Sequence, residues 1–144
     1  MASGNKKQET NCMNTPAAAD QAPPRRVLLL DDDRFMLDML TDMLADCGRF
    51  EVFAEADARA ALATLGRRAP EILICDLALP DMDGIEFLQA AASRGYTGGV
   101  ILLSGMDAGV CDAAGELARA LGLRVLGAFR KPIGALQLCA LLVH

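Results

Sequence analysis

The stretch Ile72-Leu73-Ile74-Cys75-Asp76-Leu77-Ala78-Leu79-Pro80-Asp81-Met82-Asp83-Gly84 decides how the whole chain is read. Ile72–Cys75 is an unbroken apolar run, too short for a helix. Such a run is what a strand buried on both faces of a sheet requires. It stops at a carboxylate, Asp76, and passes through a loop punctuated by Pro80 and Gly84. Residues 83–94 then show helical spacing and end at Gly95. Strand, acidic end, loop and helix form one unit.

The same unit recurs on both sides. Val27–Leu30 is a buried strand, followed by Asp31, Asp32 and Asp33 and then a helix over Arg34–Cys47. That helix carries Met36, Met39, Leu40, Met43, Leu44 and Cys47 on one stripe and stops at Gly48. Glu51–Ala54 is a weaker strand. Asp57–Leu65 reads as a helix with Asp57 as its N-cap and Gly66 as its end. Val100–Leu103 is the fourth strand and Asp107–Leu121 the fourth helix, closed by Gly122. Arg124–Ala128 is the fifth strand and Ile133–Val143 the last helix. Five strands alternating with five helices predict a doubly wound α/β fold, with a five-stranded parallel sheet covered on both faces.

Residues 1–25, rich in Ala, Asn, Thr, Gln and Pro, are expected to be a flexible leader, with one domain over 26–144. Apolar residues make up 53% of the chain, enough for a core, which must be aliphatic because aromatics are only 4%. The segment through Arg26 carries Lys6, Lys7, Arg25 and Arg26 against Glu9 and Asp20. The net charge of −5 for the chain therefore becomes −7 in the remainder. So acidic a domain repels phosphates and is not expected to bind nucleic acid directly. No apolar stretch is long enough to span a membrane. The five cysteines make no C-x-x-C pair, and Cys75 and Cys139 lie in apolar runs. They are expected to be reduced core residues of a cytoplasmic protein.

In open parallel sheets the working groups lie beyond the carboxyl ends of the strands, where strand order reverses. Asp31, Asp32 and Asp33 follow the first strand, Asp76 the third, Ser104 the fourth and Lys131 the fifth. A single Asp at such a place is ordinarily a helix cap. The set is harder to explain in that way. Crowded carboxylates repel one another unless a cation joins them, and Mg²⁺ takes oxygen ligands while keeping several waters. A carboxylate can attack phosphorus to give an acyl phosphate, a lysine and a metal can balance charge on the phosphoryl oxygens, and a serine hydroxyl can donate to them.

The order and spacing of VLLLDDD (27–33), ILICDLALPDMDG (72–84), VILLSG (100–105) and RKPI (130–133) resemble the receiver domains of two-component response regulators, typified by the chemotaxis regulator. The resemblance covers residues 26–143 and implies the flavodoxin-like receiver fold. It implies that Asp76 accepts phosphate from a sensor histidine kinase or phosphotransfer protein. Asp31 and Asp32 would serve Mg²⁺ together with Asp76 and the backbone carbonyl of Ala78, with Asp32 the direct ligand of the acidic pair. Ser104 would be the switch hydroxyl and Lys131 the phosphate-contacting lysine, while Pro80 and Gly84 shape the loop. Such a domain catalyses only its own phosphoryl transfer and dephosphorylation and is not an enzyme acting on a metabolite. VILLSGMDA and LGLRVLGAFRKPI show a weaker similarity to receivers attached to EAL-type cyclic-di-GMP phosphodiesterases.

Asp33 is expected to cap the first helix, and Asp81 and Asp83 to serve the loop and the next helix start. One departure from the family concerns signal output. The position three residues before Lys131, commonly Tyr or Phe, is Ala128, and strand alternation places Phe129 on the opposite face. The last helix has Gln137 as its only polar side chain, which suggests a partner surface. An output domain or a second copy is expected to use it with the fourth helix and fifth strand. Two rival readings remain. One is a receiver fold that binds proteins without being phosphorylated. The other is a haloacid-dehalogenase-like phosphatase with an Asp31-x-Asp33 pair, for which the absence of any Asp or Glu after Lys131 is unfavourable.

Overall fold

The computed structural model describes residues 23–105 and 107–142. Most of the expected leader, Cys12, Val143 and His144 lie outside the described residues. The elements run β1 (Arg25–Leu30), α1 (Arg34–Cys47), β2 (Phe50–Glu55), α2 (Ala58–Arg68), β3 (Ile72–Asp76), α3 (Gly84–Ser93), β4 (Gly99–Ser104), α4 (Ala108–Ala120), β5 (Arg124–Arg130) and α5 (Ala135–Leu142). The five strands form one parallel sheet in the order β2-β1-β3-β4-β5. Strand order reverses between β1 and β3, so the ends carrying Asp31 and Asp76 are neighbours.

The central strands are fixed by burial. Val27–Leu30, Ile72–Cys75 and Val100–Leu103 are each at most 1% exposed, and each such side chain contributes roughly 1.5–3 kcal/mol by leaving water. Alternate residues feed two cores. Leu28, Leu30, Leu73, Cys75 and Leu102 pack with α2, α3 and α4. Leu29, Ile74, Ile101 and Leu103 pack with α1 and α5. On α1 the buried stripe is Leu37, Leu40 and Leu44, with the methionines at its margins.

Two expectations are corrected. Gly66 does not end α2. The helix runs on to Arg68 and closes at Ala69 in the left-handed conformation (φ 46°), with Arg67 and Arg68 in the last turn suiting the negative end of the helix. A glycine inside a helix costs only about 1 kcal/mol, and the packing of Leu65 and Ala61 outweighs that. The second correction concerns the cysteines. Cys75 and Cys111 are buried free thiols, but Cys47 and Cys139 form a disulfide with Cα atoms 5.2 Å apart. Cys47 ends α1, Cys139 lies within α5, and both helices cover the same sheet face. A separation of 92 residues hid the pairing from the sequence.

Ala128 and Phe129 take opposite faces as expected. Phe129 packs on the α1–α5 side and Ala128 on the α4 side. An irregularity in the β4–β5 ladder, where Ile101 pairs with Gly127 rather than Leu126, lies upstream and leaves this alternation intact. On α5, Leu138 and Leu142 are buried while Leu136 is 89% exposed. No helix among the described residues is long and apolar enough to cross a membrane.

Candidate functional site

Asp31 and Asp76, at the ends of adjacent strands, are both buried, whereas Asp32 is exposed at the rim. Their carboxylates offer three oxygen atoms within 4.8 Å of one another. Lys131 reaches into this cluster. Its Nζ lies 2.8 Å from Asp31 Oδ2 and 3.0 Å from Asp76 Oδ2. The lysine is aimed by the backbone, because its amide donates to the Ser104 carbonyl at 2.8 Å, clamping the end of β5 to the end of β4. Ser104 itself is fully buried at the end of β4. The sheet therefore brings Asp31, Asp32, Asp76, Ser104 and Lys131 to one edge.

Burial pushes the Asp76 carboxyl upward. The Ala78 amide, which donates to Oδ1 at 3.2 Å, and the Lys131 ammonium pull it down without cancelling the rise. Burial works against the Lys131 ammonium, but its hydrogen bonds to Asp31 and Asp76 outweigh that and hold its pKa above the ordinary lysine value. Burial, reinforced by the Asp76 and Asp31 charges, raises the neighbouring Cys75 thiol far above its usual range, so it is an inert core group.

The cluster fits a divalent cation on two counts. Three carboxylates against one ammonium leave two negative charges. Asp31 Oδ2 is buried, and the Lys131 ammonium that it meets is shared with Asp76. The other Asp31 oxygen is occupied by the Asp33 amide at 2.9 Å. One ammonium shared between two buried carboxylates leaves charge that a further cation can balance.

Asp33 caps α1 by accepting from the Phe35 amide at 3.0 Å. Its side chain is committed to the start of the helix. Asp83 caps α3 in a reciprocal box with Glu86. Asp81 does something the sequence did not reveal. From within the loop that follows Asp76 it accepts from the Ala58 and Arg59 amides, at 3.1 and 3.3 Å, at the start of α2. Asp57 takes the Ala60 amide of the same turn. The Asp76 loop is thus tied to a second helix. Phe35, 72% exposed at the start of α1, is the other feature not foreseen.

The Ala58 and Arg59 amides lower the Asp81 pKa, and a nearby arginine adds to this. The folded value is below the unfolded one. The stabilisation is therefore fully present above the unfolded carboxylate pKa of about 4 and is lost as pH falls through the lower folded value. Asp81→Ala is expected to melt below wild type at neutral pH, with the gap closing as pH falls below the ordinary carboxylate value of about 4. Urea melts of both proteins across that range check it. A gap independent of pH would contradict the capping role.

The comparisons with known proteins point to one family. A family model described as "Response regulator receiver domain" matches residues 27–143. The chain belongs to the response regulator receiver family. It is 29% identical over 109 residues to the Regulator of RpoS of Escherichia coli K12, covering 76% of this chain and 31% of that protein. It is 33% identical over 119 residues to the cyclic di-GMP phosphodiesterase RocR of Pseudomonas aeruginosa, covering 82% and 30%. The weaker resemblance to receivers of that enzyme group thus has a counterpart. The chain spans about a third of the length of these curated relatives. Among solved structures, a response regulator from Colwellia psychrerythraea is 37% identical with a TM-score of 0.72, covering 84% of this chain and 95% of that one. The chemotaxis protein CheY4 of Vibrio cholerae is 27% identical with a TM-score of 0.72, covering 84% and 98%.

Proposed function

We propose that this receiver is switched by phosphorylation on Asp76. The observation that carries the reading is the bridging of Asp31 and Asp76 by Lys131 at the strand-order reversal, beside a buried Ser104. An Asp76 carboxylate oxygen attacks phosphorus of a phosphohistidine on a sensor histidine kinase or phosphotransfer protein. The O–P bond forms, the P–N bond breaks, and the leaving imidazole takes up a proton. Lys131 exchanges part of its pairing with Asp76 for the incoming phosphoryl oxygens, and the Ser104 hydroxyl donates to another. Asp31, Asp32, Asp76 and the Ala78 carbonyl would hold Mg²⁺, which when bound supplies charge neutralisation at the phosphoryl oxygens. The domain performs this transfer and its own dephosphorylation and acts on no separate metabolite.

Output is assigned to α4, β5 and α5, through an output domain or a second copy. The exposed Leu136 and the apolar outer side of α5 support this. With Ala128 facing α4, no aromatic ring moves between strand and helix, so the response would travel through the β4–α4 loop and α5. The acidic balance argues against direct nucleic-acid contact, and the family reading supports a cytoplasmic location.

The test is mass spectrometry after incubation with a small acyl phosphate and Mg²⁺. Wild type is expected to gain one phosphoryl group and Asp76→Asn none. Equal labelling of both would remove Asp76 from its role. No labelling of wild type by either an acyl phosphate or a phosphohistidine donor would favour a receiver fold used only for protein binding.

A further inference from the structure

The disulfide joins two elements that the phosphorylation reading treats separately. Cys47 is the last residue of α1, and Cys139 sits in the middle of the eight-residue α5. Both are half-buried, at the seam between the helices, whereas Cys75 and Cys111 are sealed in the core. A thiol or disulfide in solution can therefore approach the first pair and not the second.

So short a helix has little stability of its own. What holds α5 is the burial of Leu138 and Leu142, the guanidinium of Arg25, which donates to the Leu142 carbonyl, and the bond to α1. Its outer side is the apolar surface with Leu136, and Lys131 lies only four residues before its start. A covalent tie here restrains the element that presents that surface.

We propose that Cys47 and Cys139 are a reversible redox modification site, exchanging with small thiols and disulfides of the glutathione type, whose state sets the mobility of α5. In the oxidising direction a thiolate of one cysteine attacks the small disulfide, forming a mixed disulfide and releasing one small thiolate. The second cysteine attacks the mixed disulfide, closes the protein bond and releases the other. Two electrons pass from the protein thiols to the small disulfide, and their two protons end on the two small thiols released. A small thiol in excess, or a dithiol, runs the sequence backwards. Oxidised, α5 is fixed to α1. Reduced, it keeps the packing of Leu138, Leu141 and Leu142 and the Arg25 contact, and opens locally far more often. The site does not depend on phosphate reaching Asp76.

The experiment is hydrogen exchange of the full chain, resolved by peptide, in oxidised glutathione and in dithiothreitol. Thiols are counted in parallel by alkylation without denaturant, on wild type, Asp76→Asn, Cys47→Ser and Cys139→Ser. Cys47 and Cys139 are expected to resist alkylation in the oxidised buffer and to react after native reduction, while Cys75 and Cys111 stay protected. Exchange over residues 135–142 is expected to rise at least about tenfold on reduction in wild type and in Asp76→Asn alike. Both serine variants should match reduced wild type and ignore the buffer. Should either variant fail to fold, reduction of wild type alone decides. A bond that yields only on unfolding, free Cys47 and Cys139 thiols in the oxidised buffer, or unchanged α5 exchange would each overturn the proposal. None of these outcomes bears on whether Asp76 is phosphorylated.

Discussion

Lys131→Met is expected to cost about 3 kcal/mol of folding stability in magnesium-free buffer, a fall of roughly 10 °C in melting temperature. The reason is electrostatic. One ammonium lies within 3.0 Å of oxygens from two buried carboxylates, Asp31 and Asp76. Methionine keeps most of the volume and removes the charge, leaving two neighbouring acids with no cation between them. Breaking a fully buried pair costs about 3–5 kcal/mol. The lower end applies because the Lys131 side chain is 19% exposed and water can partly replace it. Added Mg²⁺ should restore much of the loss, since a more negative cluster binds a divalent ion more tightly and binding to the folded state stabilises it. The melting temperature of the variant should therefore rise more with Mg²⁺ than that of wild type. Thermal melts with and without Mg²⁺ check both parts, with Arg130→Met, at an exposed neighbouring position, expected to stay within about 0.5 kcal/mol of wild type. A variant as stable as wild type and indifferent to Mg²⁺ would show that Lys131 does not neutralise the cluster.

That double pairing marks the border of what the sequence could tell. Buried strands such as Ile72–Cys75 were legible because continuous apolar runs have few other uses, and α1 because its period and flanking residues agreed. The placement of Asp31, Asp76, Ser104 and Lys131 at one edge followed from their position at strand ends in a parallel sheet. Three features were hidden, the first two because they depend on contacts between distant elements. Asp81 caps α2 across 23 residues of chain. Cys47 meets Cys139 because α1 and α5 share a sheet face. The length of α2 depended on Ala69 accepting a left-handed conformation that Gly66 would have taken more cheaply. Local signals carry propensity, and in the first two cases tertiary contacts decided the outcome.

Gly84→Ala is expected to disturb the phosphoacceptor loop, although alanine is the better helix former. A Cβ at Gly84 would lie 2.6 Å from Leu77 Cα and 2.7 Å from the Leu77 carbonyl oxygen, closer than real Cβ atoms approach. Both are backbone atoms, so no side chain can turn aside. Leu77 cannot easily retreat, since its amide donates to the Leu103 carbonyl at 3.0 Å and its carbonyl accepts from the Gly84 amide at 3.2 Å. Either the start of α3 lifts away, loosening Phe87 and Leu88, or the segment beside Asp76 slides. Overpacking of this kind costs about 1–3 kcal/mol. A shift near 1 Å at a reacting carboxylate can cost about a hundredfold in rate, so the initial rate of Asp76 labelling should fall by at least about tenfold. Gly66→Ala is the matching control. Gly66 also lies in a helix, but an added Cβ there meets nothing within 4 Å, so it should gain about 0.5–1 kcal/mol and label normally. If both variants were stabilised and labelled like wild type, Gly84 would be an ordinary helix residue and the close contact with Leu77 would have no part in positioning Asp76.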